Sequence, residues 1–463
     1  MKRKLALNSG GNKRARLDPS LEYINKPCNT PMIKLARQYF AELKTEFQVI
    51  IGELHGWRGV AKLAVRGTTK KNRIEAGKCI GLFKPGSHEI LPCLDSPVHH
   101  KAINKISQIV ENACVVKQIT GYREDADAGL LKYIIMGVET VSEKVQLTLV
   151  VNTTPADAQE EVNELISYLV STNSAEFHSI WVHYNAASKH NNSITGRGGG
   201  DTWALKFGTE LLEEKLSTGI ELSKPKLQVK LCYPPNVFRQ ANLAGFTKII
   251  QTIRTYINKN CSLIELYGGV GTIGLNLIDL VRELQCSDEN PYNKKCFEQT
   301  VSGFYKKKYR KKAVYISEGA TSRVQDIHKY EVCLVDPPRK GLDSEVLDAL
   351  LHHHLDDSCL QRLVYISCGF KAFVQNCNKL LNLEKSGGGG ARAGHRGAPR
   401  AHTWRLVHAE GHVLFPVRNQ ILTRSLTHSL THSYLPRSIG IRPHRNLRHI
   451  RQGVDQSLVT AIL

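Results

Sequence analysis

Short apolar runs alternate with helix-length segments from Ser262 onward. Runs typical of buried strands begin at Ser262, Ala313, Val332 and Leu363. Ahead of the first run, apolar residues between 246 and 257 recur at the spacing of one helix face. Alternating strands and helices predict an α/β fold whose sheet is doubly wound, mostly parallel and Rossmann-like.

The segment before this half has a more mixed pattern. Helices are predicted at roughly 31–45 and 156–171, and strand-like runs lie at 146–151 and 180–184. We therefore expect a smaller α/β domain to precede the sheet domain.

Composition excludes several classes of protein. A chain of 463 residues with 41% hydrophobic and 23% charged residues has the balance of a globular protein. It has no apolar run of membrane-spanning length and no apolar signal-peptide core at its start. The 12 cysteines form no closely spaced pairs, which disfavours zinc ribbons and disulfide scaffolds. Reduced thiols indicate an intracellular compartment; the basic N-terminus fits nucleus or cytoplasm, and an organelle is not excluded.

The net charge of +21 suggests a polyanion partner, most simply nucleic acid. Much of that charge lies at the ends of the chain. Residues 1–16 hold six Lys or Arg and no acid, and residues 386–463 hold 11 Arg but only two acids. The body, 17–385, is therefore only mildly basic and merely compatible with nucleic-acid binding. The basic start reads equally as a nuclear-localisation-like signal or as a disordered tail.

A glycine-rich turn follows the first strand-like run. Gly269 and Gly271 lie in the sequence Glu-Leu-Tyr-Gly-Gly-Val-Gly-Thr, where glycine lets the backbone approach a ligand. Asp288 comes about 20 residues later, where an acid can bind ribose hydroxyls. No Gly-Lys-Ser/Thr follows, so phosphoryl transfer is disfavoured. The pattern favours a nucleoside-containing cofactor, and a purely structural turn is the alternative.

Two further strand ends carry chemistry. Asp336 opens the sequence Asp-Pro-Pro-Arg-Lys-Gly, whose prolines fix an extended turn at the edge where ligands sit in doubly wound folds. Cys368 follows the next strand and is a candidate nucleophile, although a lone cysteine is more often a small buried residue. A fourth motif, Phe-Arg-Gln-Ala-Asn at 238–242, could clamp a cofactor or a base. The histidines at 99–100 and 352–354 lack ligand spacing, so no metal is expected.

Together, and in this order, the four motifs resemble the RNA 5-methyluridine (uracil-5) methyltransferase family. These enzymes use S-adenosylmethionine and are related to the bacterial tRNA uracil-5 methyltransferase; the resemblance is closest to a plant and algal branch. It covers roughly 46–385 and again 404–416. The segments 59–66 and 80–88 look like the central RNA-contacting domain of that branch.

The resemblance implies a reaction and a site. Cys368 would attack carbon 6 of uracil, and the resulting enolate would take the methyl group at carbon 5. Cys368 would need a lowered pKa, for which Arg339 is a candidate neighbour. Members would bind S-adenosylmethionine through residues that correspond here to Gln240, Tyr267, Gly269, Gly271, Thr272, Asp288 and Asp336. The implied partner is RNA, tRNA rather than rRNA, with no membrane and with a monomeric enzyme.

Two features depart from the family. The iron–sulfur cysteine set of some relatives is absent. The general-base Glu expected six residues after Phe415-Pro416 is replaced by Leu422, so product release would be impaired; Glu410 is a weak substitute. A tandem Ser-Leu-Thr-His repeat at 425–432 suggests translated intron after Pro416, a hypothesis that the cDNA sequence tests.

These observations divide the chain into four parts. A basic disordered tail spans 1–22, an N-terminal and central RNA-contacting domain 23–220, and a methyltransferase domain 221–416 with a probable insertion at 386–402. Residues 417–463 are expected to be a non-family, disordered or mis-predicted tail. Two other functions stay open: a catalytically inactive RNA-binding member of the fold, and a small-molecule or protein methyltransferase, which would not need Cys368.

Overall fold

A computed structural model describes most of the chain. The described residues are 25–68, 73–84, 87, 89–157, 159–186, 202–224, 227–304, 306–352, 358–383, 404–415 and 457–462. Within these ranges, no helix combines the length and the apolar character needed to span a membrane.

The described strands form two large sheets and one small sheet. In chain order they are β1 (Phe47–Ile51), β2 (Val60–Val65), β3 (Ile80–Phe83), β4 (Ile90–Pro92), β5 (Leu131–Val138), β6 (Val145–Val151), β7 (Phe177–Tyr184), β8 (Thr202–Gly208), β9 (Leu212–Lys215), β10 (Lys230–Tyr233), β11 (Ser262–Leu266), β12 (Glu283–Ser287), β13 (Ala313–Ile316), β14 (Val332–Val335), β15 (Arg362–Ser367), β16 (His408–Val413) and β17 (Ser457–Ile462).

The α-helices of the same ranges pack on these sheets. They are α1 (Pro31–Glu42), α2 (Lys101–Val116), α3 (Gln159–Asn173), α4 (Ile220–Ser223), α5 (Leu243–Tyr256), α6 (Pro291–Ser302), α7 (Lys307–Arg310), α8 (Ser344–Leu351) and α9 (Phe370–Leu380). Side-chain caps fix several starts: the Asn242 carboxamide oxygen accepts from Gly245 N at 2.8 Å, and Pro291 occupies the first turn of α6 after the cap Asn290.

The larger sheet confirms the predicted α/β architecture. Its strand order is β1-β16-β17-β15-β14-β11-β12-β13. Strands β11 to β15 are mutually parallel, and the chain order reverses between β11 and β14, which makes this pair the switch point of a doubly wound sheet. Helices cover both faces, and every residue of β11 is buried, as expected for a central parallel strand.

The second large sheet has the order β4-β3-β2-β5-β6-β7-β8 and is mostly antiparallel. Helices α2 and α3 pack on one face, where Ile103, Val110 and Leu165 join the strand residues in a single apolar core. This sheet is the smaller α/β domain that the sequence predicts. It extends over residues 60–208.

The predicted domain boundaries need correction at both ends of this smaller domain. Strand β1 pairs in parallel with β16, and Phe47 packs with Phe40 of α1 against the larger sheet. Leu212 and Ile220 likewise belong to the core of the larger sheet. Residues 31–51 and 212–220 therefore belong to the domain of the larger sheet, because long-range strand pairing and apolar packing outweigh sequence order.

The prediction that all of 417–463 lies outside the fold is wrong for its last strand. Residues 457–462 insert antiparallel between β15 and β16, with Val459 opposite both Ser367 and Gly411. The gap between two parallel strands leaves backbone donors and acceptors that a third strand satisfies. The predicted tail 1–22, the insertion 386–402, and residues 417–456 and 463 lie outside the described residues.

Candidate active site

The predicted motifs meet at one edge of the larger sheet. The glycine turn follows β11, Asp288 follows β12, Asp336 follows β14 and Cys368 follows β15. Since these four strands are parallel and adjacent, their carboxyl ends form one crevice at the switch point. The sequence therefore placed these residues correctly.

The glycine turn is shaped to admit a ligand. Gly269 has φ of +56°, and a side chain added there would meet no atom within 4 Å, so its surface is open. Gly271 has φ of +77°, and a Cβ would lie 2.6 Å from the Phe297 ring, so only glycine lets the turn pack on α6. Tyr267 also has a positive φ, +58°. Its hydroxyl donates to Asp343 at 3.0 Å, which fixes the orientation of the ring.

Asp288 is held by three donors. One carboxylate oxygen accepts from Gly269 N at 3.1 Å, and the other accepts from Asn290 N at 2.9 Å and Asn293 Nδ2 at 3.0 Å. The carboxylate is half-buried and directly adjoins the open glycine. Its position is fixed before any ligand arrives.

Asp336 has the opposite environment. No donor among the described residues hydrogen-bonds its carboxylate, and burial raises the pKa of Asp336 to about 7. A desolvated carboxylate without donors is costly, so this side chain fits a cationic or hydrogen-donating ligand group. The negative charge of Asp336 also raises the pKa of the Cys368 thiol.

Cys368 and Arg339 lie on two touching turns. A Cβ at Gly369 would meet the Arg339 carbonyl oxygen at 2.3 Å, so the backbones of the two turns are in contact. Burial raises the pKa of the Cys368 thiol, Asp336 raises it further, and the Arg339 guanidinium lowers it. Arg339 is therefore the neighbour that the sequence suggested. Burial outweighs the guanidinium, so the pKa of the Cys368 thiol lies above its ordinary value, and the lowering that the reaction needs stays a prediction.

The remaining predicted residues lie around the crevice. The Thr272 hydroxyl hydrogen-bonds the Tyr233 hydroxyl at 3.2 Å. Gln240 is half-buried in the loop between β10 and α5, and Phe238 in the same loop is 68% exposed. Asn242 ends the loop and donates to Leu414 O at 2.8 Å, which ties this motif to the end of β16.

Two supporting groups were not predicted as site residues. Glu265 is buried within β11, accepts from Gly274 N at 3.1 Å and has a pKa raised to about 7 by burial. Its charge in an otherwise apolar strand was the available signal. Asn376 accepts from Leu342 N at 3.1 Å and from the Tyr365 hydroxyl at 2.8 Å, which fixes the turn after Asp336. No local pattern pointed to it.

Glu410, the weak candidate base, is bound within the sheet. Its carboxylate contacts His412 Nε2 at 2.5 Å and His408 Nε2 at 3.3 Å. Hydrogen bonds from these histidines outweigh burial and lower the pKa of Glu410 to about 2. A carboxylate with so low a pKa is a poor proton acceptor at neutral pH. Leu422 and Pro416 lie outside the described residues.

Comparison with known proteins identifies relatives over most of the chain. An uncharacterized RNA methyltransferase of Protochlamydia amoebophila is 32% identical over 371 residues, which cover 79% of this chain and 84% of the relative. An uncharacterized RNA methyltransferase of Geobacter sulfurreducens is 24% identical, over 72% of this chain and 61% of the relative. No protein-family model matches the chain.

A solved structure shares the fold. The tRNA (uracil-54, C5)-methyltransferase of Pyrococcus abyssi, solved in complex with S-adenosyl-L-homocysteine, superposes with a TM-score of 0.61. The match covers 93% of this chain and 83% of that chain, at 17% identity. Placement in a plant and algal branch stays a prediction. The chain belongs to the family of RNA methyltransferases that the Protochlamydia protein represents.

Proposed function

We propose that this protein methylates carbon 5 of uridine in RNA, with S-adenosylmethionine as methyl donor and Cys368 as nucleophile. The observation that carries the proposal is the position of Cys368, beside Asp336 and Arg339 and at the same sheet edge as the open glycine turn. Carbon 5 of uracil is a poor nucleophile until a thiolate adds to carbon 6. Methyl transfer to small molecules or proteins would not need this thiol.

The residues at the edge fit S-adenosylmethionine. The fixed Asp288 carboxylate beside open Gly269 suits ribose hydroxyls, and the donor-free Asp336 carboxylate suits the cationic part of the cofactor. Gln240, Tyr267, Gly271 and Thr272 complete the proposed site. When bound, the cofactor supplies an electrophilic methyl group.

The chain's own residues account for activation of the base. Cys368 loses its proton, and the Arg339 guanidinium stabilises the thiolate. A bond forms between the Cys368 sulfur and carbon 6 as the π bond between carbons 5 and 6 breaks. The displaced electron pair would make carbon 5 the acceptor of the methyl group, and the donor would leave as the thioether S-adenosylhomocysteine. A base then removes the carbon-5 proton, and the sulfur–carbon bond breaks to release Cys368. The target uridine must leave its stack to reach the thiol.

Product release needs a general base, and none is evident among the described residues. Glu410 is held as a carboxylate by two histidines, and Leu422 stands where the family has Glu. We therefore propose slow turnover, with the covalent complex accumulating. The second candidate function, an inactive RNA-binding member of the fold, rests on the same replacement. For the substrate we favour tRNA over rRNA, and a monomeric enzyme.

Transfer RNA that contains 5-fluorouracil tests the proposal, because fluorine at carbon 5 blocks the final proton removal. Incubation with S-adenosylmethionine should give a slowly migrating covalent band on a denaturing gel. The band should vanish in Cys368→Ala and persist in Cys359→Ala, a control at an exposed cysteine. RNA binding without a band in the wild type would instead support the inactive RNA-binding protein.

A further inference from the structure

A dense group of cations lies between α6 and β13, far from the candidate active site. Six of the seven residues from Lys306 to Lys312 are Lys or Arg, and none is acidic. We name the exposed members Lys306, Lys307, Lys308 and Lys311 the lysine patch. None of these four forms an ion pair with any described residue, so their charge is not neutralised locally.

Local packing holds the patch in one orientation. Tyr309 is 2% exposed and anchors the single turn α7 in the domain core. Arg310 Nε donates to Phe304 O at 2.7 Å, and the Lys312 ammonium donates to Val281 O. With these three side chains directed to protein, Lys307 and Lys311 lie four positions apart on the outward face.

The patch contrasts with other lysines of the same domain. Lys295 pairs with Glu210 at 2.7 Å, and Lys329 pairs with Asp326 at 2.8 Å. Like charges within one helical turn repel each other, so the patch opposes folding slightly in the free protein. Binding of a polyanion would remove that repulsion and release counterions from its phosphates.

The position of the patch separates it from catalysis. It precedes β13, the outermost strand, and therefore lies at the amino-terminal edge of the sheet, whereas Cys368 lies at the carboxyl edge of β15. Four strand spacings and a strand length put the two about 25 Å apart. A folded RNA whose target uridine reaches Cys368 extends over distances of this size.

We propose that the lysine patch binds the phosphate backbone of the RNA substrate, remote from the methylated uridine. The proposal rests on the proposed function in that it takes RNA as the substrate. The patch makes no base contacts in this account, so it adds affinity and orientation and no sequence specificity.

The test is a filter-binding titration of tRNA over a series of salt concentrations. We compare Lys307→Gln/Lys311→Gln with Lys34→Gln/Lys379→Gln, which removes the same charge from exposed positions of α1 and α9. The patch variant should bind about tenfold or more weakly at low salt, and its log–log salt slope should fall by roughly 1.5. The control should match the wild type. S-adenosylhomocysteine binding should be unchanged and the thermal midpoint not lowered.

Wild-type affinity and salt slope in the patch variant would overturn the proposal, as would equal losses in the control. A polyglutamate titration is the second comparison. If the patch variant binds polyglutamate more weakly than the wild type does but binds tRNA equally well, the proposal is overturned in favour of an acidic protein partner. The proposed function can fail separately. If the wild type binds tRNA through the lysine patch but forms no Cys368 adduct, the inference about the patch stands and the proposed methylation reaction is excluded.

Discussion

The Arg339 guanidinium opposes the effect of burial on the Cys368 thiol. The two residues lie on turns that touch through Gly369, so the guanidinium lowers the thiol pKa that burial and Asp336 raise. The net pKa is raised, so the thiol is mostly protonated at neutral pH. In the proposed reaction, Arg339 is therefore the residue that favours the thiolate of this half-buried cysteine.

Alkylation of Cys368 should therefore depend steeply on pH. Below its raised pKa, the thiolate fraction and the iodoacetamide reaction rate should rise about tenfold per pH unit. Arg339→Met removes the group that lowers the pKa, so it should slow alkylation several-fold at a given pH. Peptide mass spectrometry follows the reaction, with the exposed Cys359 as internal control. An unchanged Cys368 rate in Arg339→Met would contradict the finding.

Cofactor affinity should fall on the acid side of neutrality. Burial raises the pKa of Asp336 to about 7, so its carboxylate becomes protonated as the pH drops below that value. If the ionised form binds the cationic part of S-adenosylmethionine, affinity should weaken up to about tenfold per unit below pH 7. Asp336→Asn should bind weakly and lose this dependence. Titration calorimetry from pH 5.5 to 8.5 measures the cofactor affinity of the wild type and of Asp336→Asn. A wild-type affinity that does not change with pH would exclude binding of the cofactor by ionised Asp336.

Glu410 should prove structural. Its pKa is lowered to about 2, so its stabilising contribution is complete above its unfolded value and is lost as the pH falls from about 4 toward 2. Glu410→Ala leaves buried His412 without its carboxylate and should cost about 3 kcal/mol of unfolding free energy. Urea denaturation measures the cost. At a temperature where Glu410→Ala is folded, the variant should still form the Cys368 adduct. Loss of the adduct in the folded variant would show that Glu410 takes part in catalysis.

The strand at 457–462 should be required for the sheet. Val459 lies between Ser367 and Gly411 in the ladder, so Val459→Pro removes a hydrogen bond between strands and should cost about 2–3 kcal/mol. Ser457→Pro, at the first residue of the same strand, is the matched control and should cost less. Thermal unfolding compares them. Equal stability of both variants and the wild type would place this strand outside the fold.

The sequence predicted the parts of the site that depend on local chemistry. Glycine at 269, Asp288 and Cys368 follow strands directly, so a strand–turn pattern is enough to place them at one edge. The parts that depend on distant pairing were missed. Strand β1 reaches β16 across more than 350 residues, and no local pattern specifies that contact. The direction of the Cys368 pKa shift depended on burial, which the motif does not reveal.

The same limit explains the unpredicted interdomain contact. Glu214, next to the domain boundary, forms a buried ion pair with Arg239, within the loop that carries Gln240. Arg239 also donates to Val138 O of the second large sheet, so one guanidinium joins the two domains at the loop that carries Gln240. Each residue alone reads as a solvated charge, and only the folded arrangement shows their partnership.

The mass of the peptide that carries Cys368 tests the central claim most directly. After incubation of the wild type with 5-fluorouracil-containing tRNA and S-adenosylmethionine, nuclease and protease digestion should leave Cys368 bearing a methylated fluorouracil nucleotide. The account predicts that this adduct depends on the cofactor and is confined to Cys368. An unmodified Cys368 in protein that demonstrably binds both tRNA and cofactor would contradict it.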